Sequence, residues 1–408
     1  MVDKEYNLIK RLINISNVLA VCSILFAFIK VKSLATLLPL AESDKIFYWT
    51  YLFLIIPNLL SFGLSIEVYK IYLEHKELAF NKLVHKFILL VILGSIITAV
   101  VLYYLNLVPL FSLLGLMALL IIIINIPIGT SDTLIGLIQG PKKQQILNIL
   151  RSNLWVMVLI LLVLANKNFE KQNITLFFCS YFTSQLIILF IYKKSLGKIG
   201  RLHLEEFKDL ILQLKTPNSY IYAFNNILIQ NKDYILGFCI RTFLISRVNI
   251  PGLVVLFSVF DILITIVTSV INNEFLKNYG KELSNSKNVA WIKLLISLTI
   301  IPLIIINIFK GDFVFLLVGN KTQNLDGYIL YFSIYTFLRI IFISLNQLIL
   351  LDGKKMAIWM SAFLFFYFFT LLNIIPISWC ISYILILLIL DLIFVYYTFK
   401  KLMKHEYS

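Results

Sequence analysis

A chain of 408 residues that is 60% hydrophobic, with a mean hydropathy of +0.91, carries more apolar surface than a soluble core can enclose. Its 36 Lys and Arg against 21 Asp and Glu give a net charge of +15, but the basic residues sit in alternate loops between apolar runs and not on one face. These totals describe a polytopic membrane protein; they exclude a soluble domain and leave no reason to expect a nucleic-acid partner.

The stretch from Met1 to Arg11 is charged and leads into a full-length span without a small-residue cleavage site, which reads as an uncleaved start. Apolar segments of membrane-crossing length lie near 12 to 34, 46 to 68, 87 to 105, 109 to 138, 145 to 165 and 173 to 192. A basic connector, 193 to 216, follows. Further segments lie near 217 to 240, 251 to 273, 290 to 309, 326 to 350, 356 to 374 and 377 to 398. The expectation is an all-α integral membrane protein of about 12 transmembrane helices. It has an N-terminal six-helix lobe, 1–192, the connector 193–216, and a C-terminal six-helix lobe, 217–408. The second and eighth spans both run into a loop containing Lys-Glu-Leu, at Lys76 to Leu78 and Lys281 to Leu283, the spacing that two parallel halves would give.

Orientation follows from charge. With the N-terminus inside, twenty-five of the 36 Lys and Arg fall in loops of the inner side and nine in loops of the outer side, Arg241 and Arg247 among the nine. Both termini are therefore expected to be cytoplasmic. Rings at the span ends, such as Tyr48 and Trp49 or Tyr396 and Tyr397, suit the interface.

Enzyme signatures are missing. There is no Gly-rich phosphate loop, no His-Glu-x-x-His and no Cys-x-x-Cys, and the four histidines and four cysteines are scattered. No catalytic residue, metal site or resident cofactor is expected. What stands out is polar stripes on apolar spans. In the seventh, Ser219, Tyr222, Asn226, Gln230, Asp233, Gly237 and Arg241 recur every three or four residues, so they share a helix face. In the eighth, Ser258, Asp261, Thr265, Thr268 and Asn272 do the same. Tyr328, Tyr335, Arg339 and Asn346 share a face in the tenth, Asn58, Ser61 and Ser65 follow Pro57 in the second, and Ser16, Ser23 and Lys30 recur in the first.

A charged group at the bilayer centre costs roughly 2.5 to 3.5 kcal/mol on insertion scales, so these stripes turn to an interior or a hydrated path. Arg339 can grip a diphosphate bidentately, with Lys30 and Lys232 adding point charge and Asn226, Gln230 and Tyr222 lining the path. Asp233 and Asp261 are the carboxylates that could exchange a proton or a sodium ion to drive transport. Each has a structural alternative. Lys232 and Asp233 can neutralise one another, Arg339 can pair with Asp261 or Asp233, and Ser, Thr and Asn can act as interhelical glue at about 0.6 kcal/mol per bond.

Three segments resemble a family. Leu52 to Lys70, with Pro57, Ser61-Phe62-Gly63-Leu64-Ser65 and Tyr69-Lys70, is similar to the end of the second span in Wzx-type polysaccharide flippases of the multidrug/oligosaccharidyl-lipid/polysaccharide (MOP) exporter superfamily. Leu228 to Gly237 and Leu137-Ile138-Gln139-Gly140 with Lys142-Lys143 also resemble that family. The chain departs from it at Ala35-Thr36-Leu37-Leu38-Pro39 and at Val248-Asn249-Ile250-Pro251. The resemblance implies a MATE-like architecture of two pseudo-symmetric lobes about a V-shaped central cavity. It further implies translocation of an undecaprenyl-diphosphate-linked oligosaccharide repeat unit from the cytoplasmic to the outer leaflet of a bacterial inner membrane, for O-antigen, capsule or exopolysaccharide assembly. The partners implied are that lipid-linked oligosaccharide, the bilayer, and the polymerase and chain-length proteins of the same pathway.

Two rival readings stay open. A small-molecule or multidrug antiporter of the same superfamily would want carboxylates and aromatic walls in place of bound cations. A polysaccharide polymerase would want a long outer loop, and the longest here, Lys310 to Leu325, is short. The charge count makes a direct prediction: a fluorescent protein fused after Ser408 fluoresces, whereas a phosphatase fused there is inactive. The reverse result overturns the orientation.

Overall fold

The computed structural model describes residues 15–60, 96, 112–139, 141–165, 173–196, 236–278, 297, 299–319, 325–349 and single residues between 385 and 396. Every extended element among them is helical. They are α1 (Ile15–Leu37), α2 (Leu40–Leu60), α3 (Leu113–Gln139), α4 (Pro141–Ala165) and α5 (Asn173–Leu196), then α6 (236–243), which ends in a π turn, Leu244–Val248. After it come α7 (Leu253–Asn278), α8 (Thr299–Ile308), α9 (Lys310–Val318) and α10 (Asp326–Ile349). By length and apolarity α4 and α5 each suffice to cross a membrane. The expected spans near 87 to 105, 356 to 374 and 377 to 398 lie almost entirely outside the described residues, as does most of the seventh.

Two boundaries differ from the sequence expectation. Helix α2 begins at Leu40, six residues before the apolar segment, because its first turn is polar: the Glu42 and Ser43 amides donate to the Pro39 carbonyl and Glu42 sits where the helix dipole favours an acid. The segment read as an outer loop from Lys310 contains α9, bent 90° from α8. Its Val314, Leu317 and Val318 recur at helical spacing and are buried, and Gly319, at φ +65°, ends it.

Two compact units emerge from the packing. One comprises Met1–Phe47 with Cys239–Ser408, the other Tyr48–Phe238. The first helix of the chain thus packs with the second half: α1 lies against α7 and α9, and α7 against α10. In the second unit α3, α4 and α5 pack on one another.

The core of that second unit is aromatic. Trp49 and Phe53, one turn apart on α2, meet Phe177, Phe178 and Tyr181 of α5, with Trp49 edge-on to Phe178 at 5.0 Å and Phe53 edge-on to Phe178 at 5.5 Å. Trp155 of α4 closes the cluster, edge-on to Phe177 at 5.2 Å. These edge-to-face pairs each contribute about 0.5–1.5 kcal/mol beyond area burial, and they fix which faces of the helices meet.

One polar contact in this core has a definite cause. In α2 the Phe53 carbonyl would accept the amide of residue 57, but Pro57 has no N–H to give. Asn125 of α3, fully buried, donates its side-chain amide to that carbonyl at 3.3 Å and fills the gap. Asn125→Val should cost about 1–3 kcal/mol in the wild-type chain, the desolvation cost of an orphaned acceptor, and far less in a Pro57→Ala background that restores the missing amide. Thermal unfolding of the four proteins in detergent measures the coupling. Equal costs in both backgrounds would sink the explanation.

Candidate functional site

The described polar residues of the first unit converge on α7. Its sequence places Phe257, Ser258 and Asp261 within one helical turn, so a single side chain arriving from outside can touch all three. Arg241 of α6 is that side chain. Its Nη2 donates to Asp261 Oδ2 at 2.9 Å and to Ser258 Oγ at 3.4 Å, and its guanidinium lies 4.9 Å from the centre of the Phe257 ring. A cation on an aromatic face gains about 0.5–2 kcal/mol, most where water is excluded, and Arg241 is 3% exposed.

The backbone between α6 and α7 places that guanidinium. The helix loosens into the π turn, with the Asn249 amide donating to the Leu244 carbonyl at 2.9 Å, and Asn249 takes the left-handed conformation at φ 50°, which Asn tolerates better than most residues. Gly252 follows at φ +90°, a backbone conformation that favours glycine, and a Cβ there would also press on Leu325 Cδ1 at 3.1 Å and Leu40 Cδ1 at 3.2 Å.

Arg339 belongs to the same unit. It lies on α10, 1% exposed, one turn from Tyr335, which meets the Phe257 ring at 5.3 Å. Of the four residues expected to share a face in the tenth span, Tyr335 and Arg339 are buried, Tyr328 is half-buried, and the Asn346 side chain lies outside the described residues; Ser333 and Thr336 of the same helix are also buried, and Ser333 receives a hydrogen bond from Asn307 of α8 at 2.7 Å. Between α6, α7 and α10 lies a small apolar hollow lined by Phe243, Leu244, Phe257, Phe332 and Tyr335. Two buried guanidiniums and an aromatic hollow thus occupy one helix cluster.

Lys30, on α1, is half-buried, and its helix packs against the one that bears Asp261. Asp261 is engaged by Arg241, a partner the sequence reading did not weigh for it. Lys232, Asp233, Tyr222, Asn226 and Gln230 lie outside the described residues, as do the side chains of Thr265, Thr268 and Asn272. The charge count had placed Arg241 with the outer loops; the structure places it inside, since the helix runs to residue 243 before it opens. Its position at the end of the seventh-span stripe was the signal.

Breaking a buried ion pair leaves a charge without compensation, at about 3–5 kcal/mol, whereas replacing both partners with apolar groups is often neutral. Asp261→Ala should therefore destabilise strongly, and the double variant Arg241→Met/Asp261→Leu should regain most of the loss. Unfolding midpoints in detergent test this; a double variant no more stable than the single one would show that the pair is not the cause.

No protein-family model matches the sequence, and neither does any curated protein. Solved structures do match in fold. A MATE protein in complex with MaL6 aligns with a TM-score of 0.62 at 12% identity, covering 97% of this chain and 96% of its own. A MOP-superfamily transporter from Pyrococcus furiosus, described as having a binding pocket of reversed polarity, aligns at 0.61 and 13% identity, covering 97% and 94%. Lipid II flippase MurJ, in an inward closed conformation, aligns at 0.54 and 12% identity, covering 96% and 99%. The fold is that of the MATE and MOP-superfamily transporters, as the sequence resemblance implied.

Proposed function

We propose that this chain is a flippase that carries a diphosphate-linked saccharide on a polyprenyl anchor across the membrane. In its fullest form the reading is export of an undecaprenyl-diphosphate-linked oligosaccharide repeat unit from the cytoplasmic to the outer leaflet of a bacterial inner membrane, for surface polysaccharide assembly. The observation that carries it is the pair of buried guanidiniums, Arg241 and Arg339, in one helix cluster. Cations held out of water are costly unless they meet an anion, and a planar guanidinium suits a diphosphate in two-point contact. A lipid II flippase shares the fold, which supports a lipid-borne cargo.

The cargo divides physically. Its diphosphate and sugars need a polar route, and its prenyl chain can stay in hydrocarbon. Lys30 and Lys232 are the further cations proposed for the route, with Asn226, Gln230 and Tyr222 along it. Asp233 and Asp261 are proposed to couple movement to a proton or sodium ion. Both termini are proposed to be cytoplasmic, and polymerase and chain-length proteins to receive the product.

The aromatic hollow and the MATE neighbours favour a second reading, a small-molecule antiporter. One assay separates the two. Purified protein in vesicles bearing a fluorescent lipid-diphosphate-oligosaccharide should expose the label to an impermeant reagent. Arg339→Ala should slow this at least roughly ten-fold, the loss of one charge-assisted contact, with Arg339→Lys in between. No movement above empty vesicles, with cation-driven dye efflux in its place, would favour the antiporter. Wild-type flipping by Arg339→Ala would remove that residue from the route.

A further inference from the structure

Helix α9 leaves α8 at 90°. On α8 the exposed residues form one apolar stripe: Ile301, Ile304, Ile305 and Ile308 recur at helical spacing and are each at least half exposed. In a multi-pass membrane protein such a stripe faces lipid. A helix at right angles to a crossing helix then runs along the plane of the membrane.

One face of α9 is already fastened to protein. Val314, Leu317 and Val318 are buried, and the Phe313 ring meets Phe28 of α1 at 6.1 Å and Phe260 of α7 at 6.3 Å. The opposite face carries large apolar side chains that this packing does not use: Phe315 is 58% exposed and Leu316 50%, with Phe309 exposed at the bend. The first turn differs, since Lys310 and Asp312 are charged and exposed.

These two kinds of residue together fix a depth. A charge at the bilayer centre is costly, which keeps Lys310 and Asp312 near the headgroups. Phe and Leu gain by leaving water, and at the headgroup boundary an apolar helix face reaches the acyl chains by entering only about 5–10 Å. The chemistry that covers this face is lipid, because its apolar surface continues through Phe309 and Ile308 into the stripe of α8.

We propose that α9 is an interfacial helix, lying in the membrane–water boundary with Phe315 and Leu316 seated in the acyl chains just beneath the phosphates. The basic-residue count assigns this stretch to the outer side, which makes the outer leaflet its lipid. Through Phe313 it is fastened to α1 and α7, the helices that carry Lys30 and Asp261, so it sets the depth at which they stand. The proposal needs the membrane fold but no choice of cargo.

Nitroxide labels test it, through their collisions with oxygen, which concentrates in lipid, and with a nickel chelate, which stays in water. In a background with the native cysteines replaced, Asp312→Cys and Leu316→Cys place labels one turn apart on the same exposed face without entering the core. In lipid nanodiscs both labels should lie about 5–10 Å beneath the phosphates and at nearly equal depth. A helix that continues along the membrane normal would separate them by about 6 Å, the rise of four residues, and that result overturns the proposal. Nickel collisions at position 316 as frequent as in water would make α9 an aqueous loop and sink it equally. A label shielded from both reagents would show that protein covers the face, again against the proposal. Sidedness has its own readout: Lys310→Cys should react with an impermeant maleimide added to intact cells, and reaction only after the cells are opened would remove α9 from the outer leaflet.

Discussion

Hydrocarbon offers no hydrogen bonds, so every polar group carried into it must find its partner inside the protein. That constraint organises the described structure more than any single packing contact does. Pro57 removes an amide from α2, and Asn125 comes from α3 to serve the carbonyl it strands. Pro251 and Gly252 leave α7 uncapped, and Asp44 comes from α2 to cap it. Arg241 is buried, and Asp261, Ser258 and the Phe257 face receive it. In each case a local defect in one helix is answered by a side chain of another, so the defect specifies a tertiary neighbour. Apolar packing alone could not do this, since lipid tails are as apolar as the side chains they would compete with.

The aromatic cluster of the second unit supplies what the polar contacts do not. Trp49, Phe53, Trp155, Phe177, Phe178 and Tyr181 interlock through tilted and edge-on rings, which resist sliding because each ring has one favourable seat. The first unit has a shorter chain of rings, Phe257 to Phe332 and Tyr335 and Phe260 to Phe313 and Phe332, and these pass between α7, α9 and α10, with Arg241 over the Phe257 ring. Among the described residues, the ring cluster belongs to one unit and the two buried arginines to the other.

Much of the fold was legible because its signals are periodic. Apolar runs near twenty residues located α1, α3, α4, α5, α7 and α10 to within a few residues, and the polar stripe of the tenth span placed Arg339 on a buried face. What escaped was non-local. Nothing near Asp44 says that it will cap a helix 208 residues away, although Pro251-Gly252 does say that this helix lacks a cap. The missing amide of Pro57 was visible too, but not that Asn125 would answer it. Arg241 was misplaced by the charge count, which assigns a basic residue near a span end to a loop and takes no account of a helix that extends further and turns its last arginine inward. Alpha-helical α9 was hidden in an apparent loop because nine residues are too few for a periodicity argument.

On the flippase reading, the position of Asp261 links cargo to energy. Its side chain is 17% exposed where that of Arg241 is 3%, so the carboxylate is the more accessible partner. While the site is empty, Asp261 occupies the guanidinium edge that a diphosphate would need and spares Arg241 the cost of a buried unpaired charge. An arriving diphosphate would offer two-point contact and more negative charge where Asp261 takes a hydrogen bond from Nη2, and on that reading it could take the edge over. On that reading Asp261 would lose its guanidinium partner, which is the physical ground for the proposal that it couples transport to an ion. Release of the cargo would reverse the exchange, since Arg241 would again need a carboxylate partner. An ion and a lipid-linked anion would in this way be coupled through competition for a single guanidinium, without requiring that the two ever touch.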